Sequence, residues 1–237
     1  MVEVYNYNKT PDFESGEVLL IDKPITWSSF DVVNKIRWKL RDITGNRKIK
    51  VGHAGTLDPL ATGLLIICTG KATKTVESIQ NENKIYQATF RLGATRPSFD
   101  METEINQEFD ISNITEEDII SAAKSFEGDL IQTPPIYSAI QVNGKRAYEY
   151  ARKGKEIKLK SREIHISKID IEKILLPDIT MSIHCSKGTY IRSLADDFGK
   201  RLDNGAFLHY LRRTQSGNFS INDALDLKEL IDFLNKM

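Results

Sequence analysis

The chain has 237 residues, 40% of them hydrophobic and 28% charged, a composition that excludes a disordered or low-complexity polypeptide. Its 33 Lys and Arg balance 33 Asp and Glu, so the chain is not basic throughout. No apolar run approaches the roughly 18 residues needed to cross a membrane, and the N-terminus has neither the positive start nor the apolar core of a secretory signal.

In chain order, residues 1–15 are polar with little pattern and read as a loose arm. Val18 to Ile21 is a short apolar run ending at Pro24, a strand. Ser28-x-x-Asp31 is a capping box. It opens a helix with Val32, Val33, Ile36 and Leu40 on one face and Lys35, Arg37, Lys39 and Arg41 around the rest. Gly52 to Gly63 then lacks both helical and strand periodicity and reads as a loop. It carries one carboxylate, Asp58, held by Pro59 in extended or turn geometry. The residues alone leave two readings of this loop open. It is a catalytic loop mounted on a sheet, or a buried turn whose Asp58 binds local N–H groups.

Leu64 to Cys68 is a buried strand. Gly70-Lys71 is not a phosphate loop, because Leu65 stands where the first glycine belongs and Ala72 follows the lysine. Lys84 to Leu92 alternates, with Tyr86, Ala88, Phe90 and Leu92 on one face. Thr115-x-x-Asp118 caps a helix through Ile119, Ala122, Ala123 and Phe126 that stops at Gly128. Thr133-Pro134-Pro135 begins an excursion ending near Arg162. Ile164 to Ile171 and Ile179 to Cys185 are strands joined around Pro177-Asp178. A helix face of Ile191, Leu194, Ala195, Phe198 and Leu202 follows, then a strand from Phe207 to Arg213. The last helix carries the stripe Leu227, Leu230, Ile231 and Leu234. The two cysteines, Cys68 and Cys185, lie in apolar segments and read as free buried thiols in a reducing cytosol. The four histidines have no ligand spacing, so no metal site is expected.

The charges are segregated. Residues 35–50 hold seven Lys and Arg against one acid, and residues 145–162 hold eight against two. Residues 100–129 hold ten acids and one Lys. Two basic patches on a neutral chain are what phosphates feel locally. Tyr137, Tyr148 and Tyr150 lie in or beside the second patch, a mixture that suits RNA because bases stack while cations hold phosphates. Ordinary solvated helix faces are the other reading of such runs.

Gly52-His53-Ala54-Gly55-Thr56-Leu57-Asp58-Pro59-Leu60-Ala61-Thr62-Gly63 resembles the signature loop of the bacterial tRNA pseudouridine synthase B (TruB) family, Gly-His-x-Gly-x-Leu-Asp-Pro-x-Ala-x-Gly, at every fixed position. Other family segments recur in order: Asp22-Lys23-Pro24 with Ser28-Ser29, Lys84-Ile85-Tyr86, and Leu92-Gly93-Ala94-Thr95 leading to Asp100. They continue with Thr133 to Ala139, Gly144 to Glu149, Cys185-Ser186-Lys187-Gly188-Thr189-Tyr190-Ile191-Arg192, and Leu211-Arg212-Arg213. The similarity covers residues 16–233.

The resemblance implies an α+β pseudouridine synthase fold: a central mixed, mostly antiparallel sheet flanked by helices. One catalytic domain over 16–237 would carry an RNA-gripping thumb inserted at about 133–162. It implies isomerisation of the T-arm uridine numbered 55 in tRNA, by base flipping, N1–C1′ cleavage and C5–C1′ rejoining, without a cofactor. Asp58 would be the nucleophile or essential carboxylate, Arg192 its charge partner, and Tyr86 the base or relay that also stacks on uracil. His53, Tyr190 and Leu211 would contact substrate, Lys23 and Pro24 would support the pocket floor, and Asp100 would add a hydrogen bond. The resemblance implies a stand-alone, monomeric, cytoplasmic enzyme that binds tRNA without guide RNA. Two departures stand out: no complete C-terminal PUA-type domain is expected, and Gln141 stands where the family often has lysine. The basic patches also admit a tRNA-binding or folding-assistance protein whose catalysis is secondary. A small-ligand hydrolase using Asp58 and His53 would leave the basic excursion unexplained.

Overall fold

In the computed structural model, which describes residues 2–7, 9–155 and 157–237, the first apolar run forms strand β1 (Val18–Lys23). Helix α1 (Ser29–Thr44) starts from the expected box: Ser28 Oγ accepts from the Asp31 N–H at 3.1 Å, and the Asp31 carboxylate accepts from the Ser28 N–H at 2.9 Å. Strands β2 (Val51–His53) and β3 (Thr62–Thr69) flank the Asp58 loop. Helix α2 (Val76–Gln80) and strand β4 (Lys84–Leu92) follow. A small hairpin of β5 (Ala94–Thr95) and β6 (Gln107–Glu108) leads to α3 (Glu116–Lys124), capped by Thr115 and Asp118. After β7 (Gly128–Gln132) come β8 (Gln141–Val142), β9 (Lys145–Arg146) and α4 (Ala147–Ala151). The long pair β10 (Arg162–Leu175) and β11 (Asp178–Cys185) precedes α5 (Ile191–Arg201) and β12 (Ala206–Ser216). Strands β13 (Phe219–Ser220) and β14 (Leu225–Asp226) and helix α6 (Leu227–Asn235) close the chain.

The chain divides into two compact units, residues 1–86 with 211–237, and residues 87–210. It passes between them inside two strands, β4 and β12. In the first unit the strand order is β14-β1-β3-β12, with β2 added on β3 and β13 on β12. β1 runs antiparallel to β3 from Val18↔Cys68 to Lys23↔Gly63, while β12 runs parallel to β3. Leu19, Ile21, Leu65 and Ile67 pack on α1 and α6, and Leu20, Leu64, Ile66 and Cys68 pack on the opposite face with Ile79. Burial on both faces is why Leu64 to Cys68 is apolar without alternation. In the second unit the order is β4-β11-β10-β7, with both β10 ladders antiparallel. Phe198 of α5 meets Phe90 of β4 edge-on and stacks on Phe126. Among the described residues no helix is long and apolar enough to cross a membrane.

The mixed sheet with flanking helices is the α+β arrangement expected, and the alternation of β4 is borne out, with Tyr86, Ala88, Phe90 and Leu92 buried. Cys68 and Cys185 are buried and are not joined by a disulfide. Four local expectations are corrected. The N-terminal arm is not loose where it is described: Tyr5 and Phe13 are core residues, Tyr5 meets Tyr7, Phe13 and Phe233, and the Tyr5 N–H binds the Val18 carbonyl at 2.8 Å. Met1 and Asn8 of that arm lie outside the described residues. Gly52 and His53 belong to β2 rather than a loop, paired opposite Cys68 and Ile67. Thr62 and Gly63 likewise open β3. Helix α3 ends at Lys124, and Gly128 begins β7, a strand the pattern did not announce.

The basic excursion leaves the sheet after Gln132 and rejoins it at Arg162, which pairs with Gln132. Strands β8 and β9 form a hairpin, and α4 follows directly. Glu156, one of the acids counted in this run, lies outside the described residues.

Candidate active site

In the first unit the Asp58 loop spans residues 54–61 between β2 and β3, and three buried side chains hold it. Ser29, at the start of α1, is buried; its Oγ accepts from the Leu57 N–H at 2.8 Å and donates to the Leu57 carbonyl at 3.1 Å. Both backbone groups of the residue before Asp58 are therefore fixed by one hydroxyl. Arg213, only 1% exposed, donates Nε to the Leu64 carbonyl at 2.7 Å and Nη2 to the Gly55 carbonyl at 3.0 Å. Gly63 has φ +99° and lies so near Arg213 that a Cβ would sit 2.3 Å from the Arg213 carbonyl oxygen. No other residue fits there without moving β12.

Lys23 is the third clamp. It is fully buried, and its ammonium donates to the carbonyls of Pro24 at 2.9 Å, Trp27 at 2.6 Å and Pro59 at 3.4 Å. The Pro59 bond ties Lys23 to the residue after Asp58. Burial pushes the amine down to about 8, with Arg213 adding to the fall and the carboxylates of Asp58, Asp22 and Asp31 opposing it. At pH 7 the group is still mostly charged, a cation held beside the Asp58 carboxylate. Asp22 accepts from both terminal guanidinium nitrogens of Arg212, Nη1 at 3.0 Å and Nη2. Lys23 thus ties β1 to the loop, and Asp22 ties it to β12.

A pH dependence follows from Lys23. The unfolded chain keeps this proton up to about 10.5, whereas the folded chain releases it near 8. Between those values the unfolded state binds more protons, so this group's contribution makes stability rise with pH. In urea titrations at pH 7, 8, 9 and 10 we expect the midpoint of the native chain to rise relative to that of Lys23→Met. Parallel midpoints across that range would refute the buried-amine assignment.

His53, half-buried on β2, has its imidazole pushed below the usual histidine range, first by burial and then by the Arg213 cation. A neutral ring suits stacking or a hydrogen bond to substrate better than a charge contact to phosphate. Tyr86 on β4 and Leu211 on β12 are both buried in this unit, and Thr62 Oγ1 donates to the Leu211 carbonyl at 3.4 Å. The first unit therefore contains Asp58, Lys23, Pro24, His53, Tyr86 and Leu211.

The second unit contains Arg192, Tyr190 and Asp100. Arg192 is buried in the first turn of α5; its Nη1 donates to the Tyr137 carbonyl at 2.8 Å and lies 3.6 Å from Asp100 Oδ2. Asp100 is buried too, with Oδ1 accepting from the Glu102 N–H at 2.9 Å. Asp100 thus lies within ion-pair distance of Arg192. Tyr190 precedes α5, and Gln132 grips its backbone at both ends: the Tyr190 N–H donates to Gln132 Oε1 at 2.8 Å, and Gln132 Nε2 donates to the Tyr190 carbonyl at 3.1 Å. The Arg162 guanidinium lies 5.0 Å from the Tyr190 ring centroid.

Sequence reading assigned no role to Arg213, Ser29 or Gln132. Arg213 had a signal. It shares the inward parity of Phe207 and Leu211 along β12, so an alternating reading of that strand places a charge in the core. Ser29 and Gln132 had none, because their partners lie 28 and 58 residues away.

Comparison with known proteins fits this geometry. The family described as TruB family pseudouridylate synthase (N terminal domain) matches residues 41–191, and the tRNA pseudouridylate synthase B C-terminal domain matches residues 192–237. The chain is 51% identical over 220 residues to tRNA pseudouridine synthase B of Flavobacterium johnsoniae, covering 92% of this chain and 96% of that one. It is 49% identical over 225 residues to the protein of the same name from Parabacteroides distasonis, covering 95% and 96%. Among solved structures, a chain of a Cbf5-Nop10-Gar1 complex superposes with a TM-score of 0.71 at 29% identity, covering 98% of this chain and 60% of that one. A chain of an H/ACA RNP bound to a substrate RNA containing 2′-deoxyuridine gives 0.67 at 28% identity, covering 93% and 53%. With a family match over more than half its length and relatives near 50% identity over most of it, the chain belongs to the TruB family of pseudouridylate synthases.

Proposed function

We propose that this chain isomerises the T-arm uridine of tRNA, at the position numbered 55, to pseudouridine, with Asp58 as the nucleophile or charge-stabilising carboxylate. One observation carries the reading: Asp58 sits on a loop whose neighbouring residues, Leu57 and Pro59, are fixed by Ser29 and Lys23, with the Lys23 cation beside it. Such preorganisation suits a group that must meet a reacting carbon without searching. The reaction balances internally. The N1–C1′ bond breaks, the base turns, C5–C1′ forms, and the C5 proton leaves for solvent while N1 gains one. No oxidant or energy source enters.

In this reading the uridine leaves its RNA stack before it meets Asp58. Tyr86 stacks on the flipped uracil and takes or relays the C5 proton, and Leu211 and neutral His53 complete the contacts in the same unit. Arg192 and Tyr190 keep the charge-balancing and substrate-contact roles that their motif implies, and Asp100 orients Arg192. The excursion at 133–162, with its lysines, arginines and Tyr148 and Tyr150, grips the RNA arm. The protein acts on tRNA alone in the cytoplasm, as a monomer, without guide RNA.

The test is release of tritium from a tRNA transcript labelled at C5 of its uridines. The native chain is expected to release one tritium per tRNA, and replacing the T-arm uridine by cytidine is expected to stop release. Release that survives this replacement would overturn the site assignment, and no release from the native chain would overturn the activity.

A further inference from the structure

Helix α1 turns Val32, Val33, Ile36 and Leu40 into the core, so its opposite side faces solvent. On that side stand two large aromatic residues, Phe30 at 61% exposure and Trp38 at 65%. Trp38 lies opposite the buried stripe on the helical wheel, where it gains little by packing on its own chain, and tryptophan is usually well buried. The Arg41 guanidinium lies 5.3 Å from its ring centroid. Lys35 is exposed and Lys39 partly exposed on the same helix. Of the helix's two acids, Asp31 is engaged with Ser28 in the cap, leaving Asp42.

The helix is also fastened to the Asp58 loop. Ser29 binds both backbone groups of Leu57, and Arg37 Nη2 donates to the Val51 carbonyl at 2.9 Å, just before His53. Trp38 is nine residues from Ser29, about 13 Å along the helix axis. The helix that carries Trp38 therefore starts beside the residue preceding Asp58.

We propose that the solvent face of α1 is a further tRNA-contacting surface, in which Trp38 stacks on an unpaired base and Lys35, Lys39 and Arg41 meet the adjoining phosphates. The proposal rests on the tRNA reading of the Asp58 site. Charge complementarity selects the occupant. Protein-binding patches are depleted in lysine at their centre, whereas an open aromatic ring among cations matches single-stranded nucleic acid.

The experiment measures binding of the full-length chain to a tRNA transcript by filter retention at two salt concentrations. Trp38→Ala is expected to weaken binding about 5-fold or more, the effect of losing one base–aromatic stack, while Trp38→Phe recovers most of it. The Lys35→Glu/Lys39→Glu double variant is expected to flatten the salt dependence, lowering the slope of log K against log salt by about 1 or more. Both sites are on the surface, so thermal midpoints report that the variants are folded. Binding by folded Trp38→Ala within two-fold of native would overturn the proposal. So would a native dimer that Trp38→Ala dissolves without loss of tRNA affinity, since the face would then serve a second copy of the chain. A native chain that binds tRNA through Trp38 yet releases no tritium would support this surface while overturning the catalytic reading.

Discussion

Asp58→Asn is expected to abolish turnover, lowering the rate of tritium release by on the order of 10⁴-fold, while affinity for tRNA stays within about three-fold of native. The two side chains have nearly the same shape, so the clamps on Leu57 and Pro59 remain and the loop keeps its course. What changes is charge and nucleophilicity. A carboxylate attacks a carbon or balances a developing cation, and a neutral amide does neither. The substitution also removes a charge that favours the Lys23 cation, so the amine falls further below its usual range. RNA affinity comes chiefly from cations distributed along the surface, and losing one acid in the pocket leaves these untouched. Substantial turnover by Asp58→Asn would sink the assignment of this residue. Loss of binding in parallel with turnover would point instead to a collapsed loop.

The second large effect is on stability. Arg213→Met is expected to lower the unfolding free energy by about 2–5 kcal/mol, because the buried Leu64 carbonyl and the partly buried Gly55 carbonyl lose their donor, at roughly 1–3 kcal/mol each. Turnover should fall with it, since Gly55 begins the run that holds Asp58. Arg213→Lys should recover only part of the loss. One ammonium lacks the planar fork that reaches two carbonyls in different directions. The neighbouring Arg212→Met is the internal comparison. Its pair with Asp22 is partly exposed, so about 1 kcal/mol or less is expected. Urea unfolding of the three variants measures all of this. Equal effects at positions 212 and 213 would show that burial of the Arg213 guanidinium is not what holds the loop.

Much of the architecture was legible in the residues because it depends on near neighbours. Both capping boxes, at Ser28 and Thr115, close within three residues, and the structure shows both. The alternation from Lys84 to Leu92 needs only the two-residue period of a strand. The strand β7 escaped because it is a short edge with only Gln132 buried and Ile131 facing out, so it shows no apolar face. The arm escaped because Tyr5 and Phe13 are eight residues apart, without period, and their burial is made by distant partners such as Phe233.

The candidate site divides along the same line. The sequence alone located the candidate carboxylate, Asp58, since the twelve residues from Gly52 to Gly63 match a family signature at every fixed position. It determined the family itself, and the segregation of the basic runs at 35–50 and 145–162. Only the tertiary structure decided what holds that carboxylate in place. Lys23 reaches Pro59 across 36 residues, Ser29 reaches Leu57 across 28, and Arg213 reaches Gly55 across 158. Each is a single buried polar side chain that finds backbone partners far along the chain, a pairing that arises only once the chain has folded. Local spacing carries no trace of such a contact, because the donor's own neighbours do not record which carbonyl it will meet.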